Sequence, residues 1–597
     1  MGVNVMSRFL SIHRWLVALA LAAGAATSAA APPAEFRRAA AGHWVAEYEV
    51  PGADGTRLQT LVYLPPSGTG PFPTLVTRSP YDLPLTPVSG FPEDHANAGI
   101  EADPKDIGWT EATDRGYALV IQFIRGRNES DGTFSLFLDE RADGAALIRW
   151  IESQGWSNGR IGVFGDSASG VVSLQAAAAG RPSVRAVYAQ ATSADFLGGV
   201  IFPDRHVKWE ALLPFALAQS LSNSEDHVAR LGLPAETVEA LAAEAGEALG
   251  GMFEALEAGD ATQSSWWTQA PRGDLPVVSE LQPRWADLIA ARERPAVLAA
   301  NDVGPLLRAP VLQVSLWHDF FHDSAMRAWS GGRAGGRDDR LIVLDGTHYD
   351  VDDPELWPFQ PMFTWFDHWL KGEADEVRRW PRVQFTWAGE GAESIVGSDR
   401  WPLNTRSMEV SIGSAAGVVV DPARPVPTLG GNHLIAPPGM LDQAPLLQRP
   451  DVGLLRGTPL TRPLRIAGEV EASIRLRARA PGPVVVKLVD VRADGEVRLL
   501  REKVVDGRSR NRLDLRFSPL AYRFEAGSTP SILVAGSSFP AFVLDGGDRA
   551  GWIDAAGGRL TLPDASTCRC GDGAAAPRFA CRLVPAAAEG AVCRVDS

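Results

Sequence analysis

WSNGRIGVFGDSASG, Trp156 to Gly170, is the stretch on which the fold turns. Arg160 to Phe164 is a short apolar run of strand type, Gly165 to Gly170 is a sharp turn, and an Ala-rich helix follows Ser167. Strand, tight turn and helix form the context of a nucleophile elbow, which lifts a serine above the edge of a sheet. Glycines let the chain turn where a Cβ would clash. A helix N-terminus then offers a backbone N–H, here that of Ala168, to a developing oxyanion. The usual five-residue elbow carries Gly where Ser169 stands, and Gly-x-Ser is common in ordinary turns. These six residues alone leave catalysis and a plain turn equally open.

Working outward, the flanks repeat the strand–helix alternation of a parallel α/β sheet. Trp44 to Pro65 alternates apolar and polar residues around Asp54-Gly55, a hairpin signal. Thr74–Thr77 and Tyr117–Ile124 read as buried strands, and Glu140–Gln154 as a helix with Ala142, Ala145, Ala146, Ile148, Trp150 and Ile151 on its apolar surface. From about Leu197 to Val303 strand signals vanish and amphipathic helix patterns such as Ala235–Leu256 take over, as in a helical insertion. Strand signals return at Val311–Val314 and Leu341–Leu344, and a helix over Met362–Leu370 closes the α/β part. Beyond Trp380, β-rich runs such as Val484–Val491 and Ser531–Ala535 are separated by Gly, Pro and Asp-Gly turns, the pattern of an all-β sandwich. The expected divisions are a signal peptide at 1–30, α/β core at 31–196 and 304–380, a helical cap at 197–303, and a β domain with a Cys-containing tail at 381–597.

The 597 residues exceed one domain, and roughly three to five are expected of such a length. Apolar content of 45% and charged content of 22% are those of a globular protein, and a formal charge of −15 argues against a nucleic-acid partner. Arg8 and Arg14 precede the apolar stretch Trp15–Ala26, and Ser28-Ala29-Ala30 offers a small-residue cleavage site. This predicts a secretory signal peptide and export to the periplasm or the medium; an uncleaved anchor is the rival, disfavoured by the short apolar stretch. No later segment looks fit to span a bilayer. Cys568, Cys570, Cys581 and Cys593 are even in number, which in an exported chain predicts two disulfides with three connectivities open. A zinc site is the rival, but no His accompanies the cluster. The oligomeric state is open, a homodimer among the alternatives.

A nucleophilic serine needs a base, and the base needs an orienting carboxylate, each just past a strand end and in the chain order Ser, Asp/Glu, His. Asp319 follows the strand ending at Ser315-Leu316-Trp317, and His348 follows Leu341–Leu344 and the turn Asp345-Gly346-Thr347. Each alone reads equally as a turn or surface residue; Asp323 is an alternative acid, and His318 and His322 are alternative bases that precede the last strand.

Together these residues resemble the cocaine esterase-like (CocE/NonD) hydrolases, to which X-Pro dipeptidyl-peptidases and α-amino-acid ester hydrolases are similar. The resemblance spans about Glu47 to Asp554. It rests on RSPYD (Arg78–Asp82), RGRNESDGTF (Arg125–Phe134), the opening stretch, LWHDFF (Leu316–Phe321), LDGTHYD (Leu344–Asp350), WFDHWLKG (Trp365–Gly372), DPARPVPTLGG (Asp421–Gly431), GMLDQ (Gly439–Gln443), KLVDVRADG (Lys487–Gly495) and GSSFP (Gly536–Pro540). It implies an α/β-hydrolase core with an inserted helical cap and a C-terminal jelly-roll β-sandwich. It also implies a triad of Ser167, Asp319 and His348 and an oxyanion hole pairing the Tyr81 hydroxyl with the Ala168 N–H, without metal or organic cofactor. The expected partner is a small ester or amide. The expected activity is ester hydrolysis through an acyl-enzyme, with amidase or peptidase action and a catalytically inactive ligand-binding protein as alternatives. The chain departs from the family where Ala168 replaces the usual Tyr, which keeps the backbone donor and removes a side-chain wall, so an enlarged pocket is expected.

Overall fold

The computed structural model describes residues 35–38, 42–67, 69–81, 107–138, 140–221, 231–350, 361–391, 395–403, 406–413, 417–479, 483–506, 512–543 and 551–566, with short strands at 569–570, 581–586 and 592–593. The expected signal peptide lies outside the described residues, as do Cys568 and the side chains of Cys570, Cys581 and Cys593.

A mixed sheet forms the frame. Its strands are β1 (Arg37–Arg38), β2 (Trp44–Pro51), β3 (Arg57–Leu64), β4 (Phe72–Ser79), β5 (Ala118–Phe123), β6 (Ser157–Asp166), β7 (Val184–Gln190), β8 (Val311–His318), β9 (Arg340–Thr347), β10 (Val383–Phe385) and β11 (Val396–Ser398). Their spatial order is β1-β2-β3-β5-β4-β6-β7-β8-β9-β10-β11, extended by the short C-terminal strands. From β5 through β10 neighbouring strands are parallel, while β2 and β3 form the antiparallel hairpin around Asp54-Gly55. Strands β5 and β8 are buried along their whole length, as expected where helices cover both faces of a parallel sheet. Helices α1 (Arg141–Glu152) and α2 (Ser167–Ala177) pack on each other, and Gly144 permits the crossing, because a Cβ there would lie 2.5 Å from the Ala176 Cα.

The segment between β7 and β8 is helical, with α3 (Trp209–Leu221) and the 23-residue α4 (Ala235–Glu257) as its longest pieces. Its apolar side chains join those above the sheet in one core that includes Phe196, Trp209, Leu213, Trp267 and Trp285. The expected boundary at 380/381 falls inside the sheet: β10 adds parallel to β9, and β11 turns back on β10. Both of these short strands are buried, and the chain leaves the frame only after β11. After β11 two antiparallel sheets of seven and four strands face each other, and Glu471–Arg479 shows the alternating burial of a strand with one face on a core. That core is continuous with Trp317, Trp329 and Val343 of the α/β frame, so the β-sandwich is fused to it. Among the described residues no helix is long and apolar enough to cross a membrane.

Candidate active site

Ser167 opens α2 directly at the end of β6, and its φ of +43° is left-handed, a conformation that costs an L-residue energy unless its surroundings hold it. The hold is visible. The Thr192 hydroxyl donates to the Ser167 carbonyl at 2.7 Å, and Gln313 Nε2 donates to the Thr192 and Ala189 carbonyls at 3.1 and 3.2 Å. Gly165 and Gly170 make the turn: a Cβ on Gly165 would lie 2.8 Å from the Gly170 Cα, and one on Gly170 would lie 2.5 Å from Thr192 Cγ2. The small residue opposite Gly165 is therefore at position 170, which explains why Ser169 is tolerated where the familiar motif has Gly.

Asp319 follows β8 in a turn closed by its own N–H on the Leu316 carbonyl. Its Oδ1 accepts from the Phe321 N–H at 3.2 Å and from His348 Nδ1 at 2.9 Å. His348 Nε2 stands 3.0 Å from Ser167 Oγ. The turn carrying His348 is fixed by Asp350, whose Oδ2 accepts the Thr347 N–H at 2.6 Å and hydroxyl at 2.8 Å. With Nδ1 protonated toward the carboxylate, Nε2 is left to accept from the serine hydroxyl, the arrangement a general base needs. Ser167, Asp319 and His348 are all buried, and Phe320 flanks the imidazole at 4.9 Å between ring centres.

Tyr81 reaches the same point from the end of β4. Its buried side chain lines the same cavity as Ser167. Burial first, and the Asp166 carboxylate second, push its pKa far up, so it stays a donor at any moderate pH. The Ala168 N–H belongs to the first turn of α2, where backbone donors have no intrahelical partner. The structure thus brings Ser167, Asp319, His348, Tyr81 and Ala168 to one place. The alternative bases are elsewhere: His322 Nδ1 faces Ser315 Oγ at 3.0 Å, and burial, helped by Arg501, pulls its pKa down to about 4. His318 is buried too, and desolvation, with Arg501 beside it, pulls its pKa well below the ordinary imidazole value. Asp323 meets Asn432 Nδ2 at 3.3 Å rather than His348. Asp166 makes no capping bond to α2.

A cavity of about 70 Å³ opens on Ser167 and His348. Ala168 forms part of its wall, and the rest is apolar: Leu136, Phe137 and Phe196 from the core, Ile201, Leu212 and Phe215 from the cap, Phe320 beside the base, and Leu434 from the β domain. Apart from His348, no ionisable side chain but Tyr81 lines it among the described residues. Sequence reasoning missed this lining, because the cap and β-domain residues carry no local motif. Among the described residues no group of His, Cys, Asp and Glu is arranged to hold a metal.

Comparison with known proteins bears on the same residues. The X-Pro dipeptidyl-peptidase (S15 family) model matches residues 54–350, and the X-Pro dipeptidyl-peptidase C-terminal non-catalytic domain matches 376–550. Cocaine esterase of Rhodococcus sp. (strain MB1 Bresler) is 28% identical over 517 residues, covering 78% of this chain and 83% of that protein. Among solved structures, an α-amino acid ester hydrolase superposes with TM-score 0.60 at 18% identity, covering 91% of this chain and 98% of the other. An aminopeptidase from a marine sediment Thaumarchaeota archaeon also gives 0.60 at 18% identity, over 90% and 99%. A CocE/NonD family hydrolase from Staphylococcus aureus gives 0.58 at 14%, over 87% and 94%. At these identities the three structures speak for the fold.

Proposed function

Because the chain is a CocE/NonD-type serine hydrolase, an enzyme of esterase or peptidase kind, we propose that it cleaves carboxylic esters with apolar acyl groups through Ser167, His348 and Asp319. The observation that carries this reading is the apolar cavity opening on the Ser167–His348 pair. An apolar acyl group gains about 25 cal/mol for each Å² it buries there. A substrate ammonium would meet no carboxylate among the described lining residues, and an unpaired buried charge is costly. That weighs against X-Pro dipeptides and α-amino-acid esters, whose amines need an acidic partner.

His348 takes the proton of the Ser167 hydroxyl as Oγ attacks the acyl carbon. The negative charge that develops on the carbonyl oxygen falls to the Tyr81 hydroxyl and the Ala168 N–H. Asp319 holds the imidazole in register and stabilises the imidazolium. His348 then protonates the departing alkoxide, and water, deprotonated by the same imidazole, releases the acyl group. The enzyme is exported, to the periplasm or the medium, with its C-terminal cysteines oxidised in pairs.

Hydrolysis of p-nitrophenyl esters by the parent and by Ser167→Ala tests the reading, with amino-acid esters and X-Pro p-nitroanilides as competitors. Ester activity confined to the parent is expected. Preference for X-Pro anilides would select the peptidase alternative, and absence of both activity and fluorophosphonate labelling would leave a ligand-binding protein. Secretion of an N-terminal reporter fusion, lost on deleting residues 1–30, tests the export.

A further inference from the structure

Glu210 is a fully buried carboxylate in the first turn of α3, outside the triad and the oxyanion hole. It collects three consecutive backbone donors from the β domain. Leu434 N–H lies 3.1 Å from Oε2, Ile435 N–H 2.6 Å and Ala436 N–H 3.2 Å from the same oxygen, and Leu434 N–H also lies 3.2 Å from Oε1. His433 continues the chain of charge: its Nδ1 is 3.6 Å from Glu210 Oε1, and its Nε2 is 3.4 Å from Glu502 Oε1. Glu502 Oε2 pairs with Lys487 Nζ at 3.2 Å. All four side chains are buried, so the cap is tied to the interior of the β-sandwich by alternating charges. Lys208, two residues before Glu210, donates to the Asn432 carbonyl and, at 3.5 Å, to the Phe320 carbonyl.

The two elements that Glu210 joins both line the acyl cavity. Its own helix supplies Ala211, Leu212 and Phe215, and the loop it grips supplies Leu434. Nothing else in the cavity wall comes from the β domain among the described residues. Without the carboxylate, three N–H groups would be buried without partners, and the loop would have to move to rehydrate them. We infer that Glu210 is a specificity-determining positioning residue: by fixing the 434–436 loop to the cap it sets Leu434 as the wall that limits the acyl chain Ser167 accepts.

This rests on the esterase reading, and the experiment separates the two. The ratio of kcat/KM for p-nitrophenyl octanoate to that for the acetate is measured in the parent, Glu210→Gln, Leu434→Ala and the double variant, each with its melting temperature. Glu210→Gln is expected to raise the ratio about tenfold, the low end of what one methylene is worth in an apolar pocket. Leu434→Ala is expected to raise it similarly, and Glu210→Gln to add little in the Leu434→Ala background, because both act on one wall. A purely structural carboxylate would lower the melting temperature in both backgrounds and leave the ratio alone. That result overturns the inference, as does a parental ratio in Leu434→Ala. If Glu210→Gln fails to fold, Glu210→Asp carries the same test, since it keeps the charge and draws the loop by one methylene. Failure of the esterase reading itself shows separately, as a parent that neither hydrolyses esters nor takes up a fluorophosphonate at Ser167.

Discussion

Ser167 sits in a backbone conformation that the surrounding side chains have to enforce, and Thr192 is the nearest enforcer. Thr192→Val keeps the shape and deletes the donor, leaving the Ser167 carbonyl short of a partner at a cost of roughly 1–3 kcal/mol. The expected result is a fall in kcat of about tenfold with KM little changed, read by steady-state kinetics on a short ester; an unaltered kcat would mean that the turn holds itself. Tyr81→Phe should be more severe, about 10²–10³ in kcat, since it removes a donor aimed at the oxyanion. Its melting temperature should not fall comparably, because what is lost is a hydroxyl and not packing. The meeting of Ser167, Asp319 and His348 could be anticipated from the sequence because strand ends and chain order constrain it: Asp319 and His348 each follow an apolar run. Thr192, Glu210 and Leu434 were not, because a hydroxyl on a backbone carbonyl or a leucine in a loop has no periodicity and no motif. Their roles exist only once residues such as 210 and 434 are brought into contact.

At the scale of elements, the elbow depends on two glycines that let α2 close on β6. Gly170→Ala places a methyl group within 2.5 Å of Thr192 Cγ2, a β-branched side chain with little room to retreat. Overpacking of this kind costs about 1–3 kcal/mol. A lower melting temperature is expected together with slower fluorophosphonate labelling, since the displaced residue is the one that supports Ser167; a slowed label without a thermal shift would contradict the packing argument. The hairpin at Asp54-Gly55, the strands either side of the insertion and the long helix from Ala235 were all legible, each having a turn signal or a clean period. The end of the α/β sheet was not. Val383, Gln384 and Phe385 make a run too short to show a period and have no turn signal of their own, and only pairing with β9 places them in the sheet.

Across the whole molecule, the buried charges linking cap and sandwich make stability depend on pH. Burial opposes the charged form of His433, yet Glu210 and Glu502 outweigh it and raise its pKa above the usual imidazole value. Its contribution is therefore complete below about pH 6.5 and is lost as pH rises through the folded-state value. For Glu502, burial pushes upward but Lys487 and His433 prevail, drawing it to about 2 from 4.5. Its contribution is complete above about pH 4.5 and is lost as pH falls toward 2. Thermal stability should thus be greatest near pH 5–6 as far as this cluster is concerned, with a decline on the alkaline side that His433→Gln flattens while lowering the curve. Melting temperatures from pH 5 to 9 check this, and parallel curves for parent and variant would remove His433 from the account. The same linkage bears on how the enzyme comes into being. A ribosome that has delivered residue 350 has released Ser167, Asp319 and His348, yet the grip of Glu210 on residues 434–436 still lacks its other half. The nascent chain therefore carries its nucleophile and base before it carries Leu434, the β-domain part of the wall around them.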